Sequence, residues 1–257
     1  MKFHPCIDIH NGKVKQIVGG TLKDAGDQAA ENFVSEQDAA FYANLYRKYN
    51  LQGGHIILLN PASSDYYEAT KAQALLALKT WPGGLQVGGG IHAENAEEFL
   101  NAGASHVIVT SYVFKDGRIS YENLDRLVSA VGKENLVLDL SCRKKDGEYY
   151  IVTDRWQKFT DVIITPDVLK EMTSYCDEFL IHAVDVEGKA SGIETPLAEL
   201  LSGLENFPVT YAGGVGSFSD LDELRRAGKG RLDVTIGSAL DLFGGSMAFE
   251  EVLKACD

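Results

Sequence analysis

A single (β/α)8 barrel of the TIM-barrel class, built as a doubled half-barrel over residues 1–257, is the fold this sequence predicts, and three observations predict it. Apolar runs of strand length alternate with helical stretches along the whole chain, with short connections and no Pro/Ser-rich linker or composition break. One arrangement of parts occurs twice: Leu85 to Phe114 and Asn206 to Gly245 each run strand, glycine pair, helix and strand, the second strand ending in Thr110-Ser111 or Gly237-Ser238. A second echo joins Cys6 to Val18 (CIDIHNGKVKQIV) with Leu138 to Val152 (LDLSCRKKDGEYYIV), an aspartate ending a strand and a basic, Gly-containing hairpin following it. Each aspartate lies roughly 75 to 80 residues before its glycine pair, so the halves divide at about 1–132 and 133–257.

Taken in order, Phe3 to Ile9 is an apolar strand carrying Asp8 near its end, and Asn11-Gly12 is a two-residue hairpin signal leading into Lys13 to Val18. Gly19 to Val34 is polar and Gly/Ala-rich, the composition of a long mobile loop that covers a barrel mouth. Apolar residues at helical spacing follow from Ser35 and close at Asn50. His55 to Leu59 reads as a buried strand, Asn60 to Tyr66 as a loop, Tyr67 to Lys79 and Tyr121 to Val131 as helices flanking the first glycine repeat. In the second half, Asn135 to Leu140 is a strand with Asp139 at its end, and Trp156 follows the basic hairpin on a polar loop. Helix Pro166 to Cys176, strand Phe179 to Val184, loop Asp185 to Ile193 and helix Pro196 to Leu204 then lead into the second glycine repeat. Eight strands can be counted.

A chain of 257 residues that is 45% hydrophobic buries one large core, and one barrel domain of this length is ordinary. No apolar run approaches the roughly 18 residues of a membrane span, and the first strand starts at Lys2, so a soluble, cytoplasmic protein without a targeting segment is expected. Cys6, Cys142, Cys176 and Cys256 are scattered without CxxC spacing, which predicts reduced thiols, and the six histidines form no i,i+4 pair; no metal is expected. The formal net charge of −13 opposes nucleic-acid and anionic-membrane binding. It also repels an anionic substrate at long range, so any phosphate must be held by local dipoles and a few cations.

The glycine pairs point to such phosphates. Glycines at the ends of adjacent parallel strands let backbone N–H groups converge, and a following helix N-terminus adds positive partial charge. A single such loop is as well explained by a tight βα turn; its repetition implies two phosphate cradles. In a parallel barrel all strand ends reach one face, so Asp8 and Asp139, on strands one and five, face each other across the mouth and can serve as a base and an acid on one substrate lying between the cradles. Taken singly, each aspartate reads as a cap or hairpin acceptor. Asp65, Asp185 and Glu187 lie in loops on the same face as further candidates, and Lys13, Lys15, Arg143 and Lys144 read as exposed hairpin charge or as cations near the mouth.

These residues also carry a resemblance. PCIDIHNGKV, the GGGI and AGGV loops, the VIVTS and VTIGSA strand ends and DVEGKASGI resemble the histidine-biosynthesis isomerases that convert ProFAR to PRFAR, over essentially the whole chain; ENFVSEQDAAFYANLY and GGHIILLN resemble the eukaryotic branch. The resemblance implies an Amadori aldose–ketose rearrangement without a cofactor, with Asp8 as proton acceptor and Asp139 as proton donor. It implies that Gly89, Gly90 and Ser111 bind one phosphate, that Gly188, Gly213, Gly214, Gly237 and Ser238 bind the other, and that Trp156, by itself a packing residue, stacks on the planar part of a small bis-phosphorylated substrate. A monomer is expected. A free aspartic acid is only about a thousandth protonated at pH 7, so Asp139 is expected to have a raised pKa when substrate excludes water, and Asp8 to stay ionised. The chain departs from bacterial members at Ala183, where they have a threonine after the histidine of strand six, and in the second strand, which usually carries acidic residues there and here reads Ile57-Leu58-Leu59-Asn60. Two alternatives stay open: the cyclase of the same pathway, whose family places a lysine where this chain has Gln16, and a non-catalytic phospho-ligand sensor.

Overall fold

The structure, a computed structural model, describes residues 1–18, 21–22 and 29–256. Eight strands form the barrel: β1 (Cys6–His10), β2 (Gly54–Leu58), β3 (Leu85–Gly88), β4 (Val107–Val109), β5 (Leu136–Asp139), β6 (Glu178–His182), β7 (Val209–Ala212) and β8 (Asp233–Thr235). Each pairs in parallel with the next. The ring closes where Phe3 pairs with Val234, the His4 N–H reaching the Val234 carbonyl at 2.8 Å and the Val234 N–H the Lys2 carbonyl at 2.9 Å. Closure leaves no barrel strand with an unpaired edge, and all eight carboxyl ends reach one face.

A helix follows every strand: α1 (Ala39–Lys48), α2 (Tyr67–Thr80), α3 (Ala96–Asn101), α4 (Tyr121–Val131), α5 (Pro166–Met172), α6 (Thr195–Leu201), α7 (Phe218–Ala227) and α8 (Phe249–Cys256). Local chemistry sets their starts. Asp38 caps α1 by accepting from the Phe41 N–H at 3.0 Å, Ser120 and Ser217 cap α4 and α7, and Thr165 caps α5 with Pro166 in its first turn. Their apolar faces, Tyr42 and Tyr46 on α1, Leu124 and Leu127 on α4, Leu221 and Leu224 on α7, join Ile7, Ile9 and Ile56 of the strands in one buried layer.

Inside the barrel, side chains alternate by strand register. Ile108, Val137 and Leu180 pack together with Ile57. One residue pair further along β5 and β6 come Asp139 and His182 at the mouth, and one pair earlier on β6 comes Glu178 at the opposite end. An apolar layer thus separates the mouth from a buried polar cluster, in which Glu178 accepts from Thr210 at 2.6 Å and from Gln86 at 2.7 Å while Thr210 meets His4 at 2.8 Å.

The twofold echo extends to the loops. After β1 the chain makes a hairpin with Lys13–Ile17, which pairs in turn with Glu31–Val34. After β5, Cys142–Lys145, Glu148–Thr153 and Lys158–Ile163 form a three-stranded antiparallel sheet. One-turn 3₁₀ helices sit at matching places after β4 (Ser111–Val113) and β8 (Asp241–Phe243). Three expectations need correction. Glu31–Val34 of the expected mouth loop is a strand; residues 19–20 and 23–28 of that loop lie outside the described residues. Lys158–Ile163, beyond the polar loop expected at Trp156, is a strand as well. Helix α5 ends at Met172 rather than Cys176, because Thr173 and Ser174 turn the chain toward β6, the Thr173 hydroxyl bonding back to the Lys170 carbonyl at 2.7 Å.

Candidate active site

The carboxyl ends of the strands enclose two adjoining cavities. The larger, about 290 Å³, is lined by both Asp8 and Asp139 and by Gly89, Gly90, Ser111 and Trp156. The smaller is lined by Gly188, Gly213, Gly214, Gly237 and Ser238, so the two glycine groups stand at different ends of one recess. Asp8, His182 and Glu187 border both cavities and form the wall between them. Asp65 and Asp185 line neither; Asp185 instead receives the Arg143 guanidinium at 2.9 Å and the Lys144 N–H at 2.8 Å. Lys15 is buried against Glu31, and neither Lys13 nor Lys144 lines a cavity. Among the described residues lining the larger cavity, the one guanidinium or ammonium group belongs to Arg155, which the sequence reading passed over although it adjoins Trp156.

Backbone conformation presents that pair. Asp154, Arg155 and Trp156 have φ of +51°, +55° and +67°, three successive residues in the left-handed region, at the turn between Glu148–Thr153 and Lys158–Ile163. The turn is tied to the first glycine group by the Asp154 N–H, which donates to Ser111 Oγ at 2.9 Å. The Trp156 ring lies 5.3 Å from that of His182, and both line the larger cavity.

The two aspartates sit in different surroundings. Asp8 Oδ2 accepts from Gln16 Nε2 at 3.3 Å, and Gln16 also reaches Cys6 Sγ at 3.6 Å. Burial foremost, then the neighbouring Glu187 carboxylate, pushes the Asp8 carboxyl from 3.8 up to about 7, against the opposing bond from Gln16. In the free chain burial thus favours the protonated form of Asp8, against the expectation that it stays ionised. Burial raises Glu187 as well. Asp139 accepts three hydrogen bonds, from the Ser141 N–H at 2.8 Å, from the Ser141 hydroxyl and from Thr110 Oγ1 at 3.1 Å. With Ala183 after His182, the hydroxyls beside this carboxyl thus come from Thr110 and Ser141. Gly237 adjoins Gln16 so closely that a Cβ there would stand 2.3 Å from Gln16 Oε1, which couples the second glycine group to the side chain that holds Asp8.

Fold and site together define a class: a barrel with a carboxyl group from each half at the centre of its mouth and a glycine-lined recess on either side. The sequence model of the family described as histidine biosynthesis protein matches residues 2–247. The chain belongs to that family. It is 54% identical over 257 residues to a Medicago truncatula protein named 1-(5-phosphoribosyl)-5-((5-phosphoribosylamino)methylideneamino)imidazole-4-carboxamide isomerase, chloroplastic, covering 98% of this chain and 81% of the relative. Relatives of the same isomerase name from Neurospora crassa (47% over 247 residues, 95% and 93% covered) and Saccharomyces cerevisiae (43% over 261 residues, 98% and 97% covered) match along nearly their full length.

Proposed function

We propose that the chain is the aldose–ketose isomerase that converts the bis-phosphorylated aminoaldose ProFAR to the aminoketose PRFAR in histidine biosynthesis. The observation that carries the reading is the pair of carboxyl groups in one cavity, one from each half-barrel, between two glycine-lined recesses. The relatives named for this reaction support it.

The geometry suits the chemistry. The substrate lies across the mouth, one phosphate at Gly89, Gly90 and Ser111 with Arg155 beside it, the other at Gly188, Gly213, Gly214, Gly237 and Ser238. Asp139 gives its proton to the ring oxygen of the aminoaldose; the C1′–O bond breaks and the nitrogen lone pair forms a protonated imine. Asp8 then takes the C2′ proton, and the resulting enolaminol tautomerises to the ketose. A base raised to about 7 is a far stronger proton acceptor than a free aspartate and is still available as carboxylate at neutral pH. These two transfers reach the enolaminol; ketonisation then places a proton on C1′ and releases the one on the C2′ hydroxyl, and exchange with solvent returns Asp139 to the acid and Asp8 to the carboxylate. Trp156 stacks on the imidazole carboxamide.

The test is incubation of the purified chain with ProFAR, without ammonia or a glutaminase, followed by chromatographic separation of the two isomers. PRFAR accumulation is expected; ring closure on adding ammonia would mark a cyclase instead, and tight binding without turnover a sensor. A second measurement addresses the cradle. Gly90 has φ +73°, yet a Cβ there would meet no protein atom within 4 Å. Gly90→Ala should therefore cost only about 1–2 kcal/mol of fold stability, while KM for ProFAR rises about tenfold or more as the methyl occupies space meant for phosphate, equivalent to one lost hydrogen bond. An unchanged KM would remove Gly90 from the phosphate site.

We further propose that the enzyme works as a cytoplasmic monomer on a small-molecule substrate, without a nucleic-acid or membrane partner. No helix among the described residues is long and apolar enough to cross a membrane. Because the plant relative's name includes the word chloroplastic, imaging of the tagged full-length protein is the deciding measurement for the compartment.

A further inference from the structure

The two oxygens of Asp139 have different partners, and the difference decides where its proton can reside. Oδ1 accepts from the Ser141 N–H at 2.8 Å and from the Ser141 hydroxyl, whereas among the described residues Oδ2 accepts from the Thr110 hydroxyl alone, at 3.1 Å. Thr110 lines the larger cavity; Ser141 is fully buried and lines neither. The Ser141 oxygen is engaged twice more, by the His182 backbone N–H at 3.3 Å and by His182 Nδ1 at 3.1 Å. A hydroxyl has one hydrogen and two lone pairs. The backbone N–H can only donate, so it takes one lone pair. If the hydrogen goes to Asp139 Oδ1, the second lone pair is left for His182, which must then carry hydrogen on Nδ1. The opposite orientation, hydroxyl to Nδ1, would press two oxygens together with no hydrogen between them as long as Asp139 is a carboxylate.

We infer that Ser141, backed by His182, is the positioning residue of Asp139: it fixes Oδ1 as a permanent acceptor and leaves Oδ2, on the Thr110 side, as the oxygen that carries the proton and delivers it to substrate. The Thr110 hydroxyl can rotate to accept from Oδ2 when the proton is present and to donate when it has gone. The chain His182 Nδ1–H to Ser141 O–H to Asp139 Oδ1 passes through the fully buried Ser141, where a low local dielectric strengthens these bonds. The inference rests on the acid role of Asp139 proposed above.

The experiment compares Ser141→Ala and Ser141→Thr with the parent full-length chain in thermal unfolding, kcat, KM for ProFAR and the pH dependence of kcat. In parallel, ¹⁵N NMR of histidine-labelled protein, with the His182 signals assigned through His182→Gln, reads the ring tautomer. Expected are an Nδ1–H tautomer for His182 in the parent, and a loss of kcat on the order of 10- to 100-fold in Ser141→Ala with KM within about threefold. The pH profile of kcat should shift in Ser141→Ala, and Ser141→Thr, which keeps a hydroxyl, should recover most of the loss. Three results would overturn the inference: a His182 proton on Nε2; a Ser141→Ala kcat within twofold of the parent and an unshifted profile; or equal losses in both variants accompanied by equal losses of thermal stability, which would make Ser141 a packing residue. If the parent itself fails to turn ProFAR over, the isomerase reading fails, and the tautomer signal still decides the hydrogen-bond chain.

Discussion

Asp8→Asn and Asp139→Asn are each expected to reduce turnover of ProFAR by at least about a thousandfold while leaving the fold and the affinity for substrate nearly intact. General acid or base catalysis by one positioned group contributes about 10²- to 10⁴-fold, and here each group performs one transfer on which the rest of the sequence of steps depends. The amide is a fair isostere in both settings. At position 139 the asparagine oxygen can take the Oδ1 place and accept from the Ser141 N–H and hydroxyl, while its NH₂ donates to Thr110, whose hydroxyl then acts as acceptor. At position 8 the amide oxygen can accept from Gln16 Nε2 as Oδ2 does now. Each amide thus keeps a hydrogen bond with the neighbours from which the carboxylate now accepts, so folding should not confound the result. Single-turnover kinetics with saturating enzyme, together with calorimetric titration of substrate onto each variant, separates the chemical step from binding. Activity within tenfold of the parent in either variant would take that aspartate out of the mechanism, and a matching loss of affinity would recast it as a binding group.

The order of strands and helices, the glycine pairs and the two aspartates were legible in the sequence because each leaves a local mark. Strand-length apolar runs ending in glycine repeat, and the aspartates fall at equivalent places in the two repeats. The third strand of each hairpin sheet left no such mark. In Glu31–Val34 every residue is exposed or half-buried, so no apolar alternation distinguishes it from loop. In Lys158–Ile163 only Thr160 is fully buried, and the bulky Phe159 faces outward, the reverse of a core strand. Site chemistry was legible at the level of residues and not of their surroundings. Asp139 announces Ser141 two residues on, but His182, which orients that hydroxyl, comes from the next strand. The electrostatic setting of Asp8 depends on Gln16 across the hairpin and on Glu187 beyond β6, a proximity created only by closing the barrel. For that reason the raised carboxyl of Asp8 left no mark in the sequence.

The raised value of Asp8 leads to a stability effect opposite to the catalytic one: Asp8→Asn should unfold at higher denaturant than the parent above pH 7. In the unfolded chain Asp8 ionises near its ordinary 3.8, in the folded chain near 7, so between these values the native state holds a proton that the unfolded state has released. A raised folded value contributes stability that is complete below about pH 4 and is lost as pH rises through about 7. Above that pH the fold must hold an ionised, buried carboxylate beside Glu187. The full interval would correspond to about 4 kcal/mol, and because the carboxyl opens partly onto the cavity, roughly 2–4 kcal/mol is the expected gain for an asparagine, which never ionises. Urea unfolding of parent and variant at pH 4 and pH 8 tests this with its own control, since the difference should vanish at pH 4 while titrating groups remote from Asp8 and Glu187 cancel in the comparison. Equal stabilities at pH 8 would mean that Asp8 is not held at a raised value. The same ionisation should govern the parent's turnover: kcat/KM reports groups of the free enzyme and should rise with pH until about 7, because only the carboxylate form of Asp8 can take the C2′ proton. Burial thus weakens the fold at the pH where it gives the base its strength, and a variant that is more stable at pH 8 and inactive is the outcome that ties both effects to one side chain.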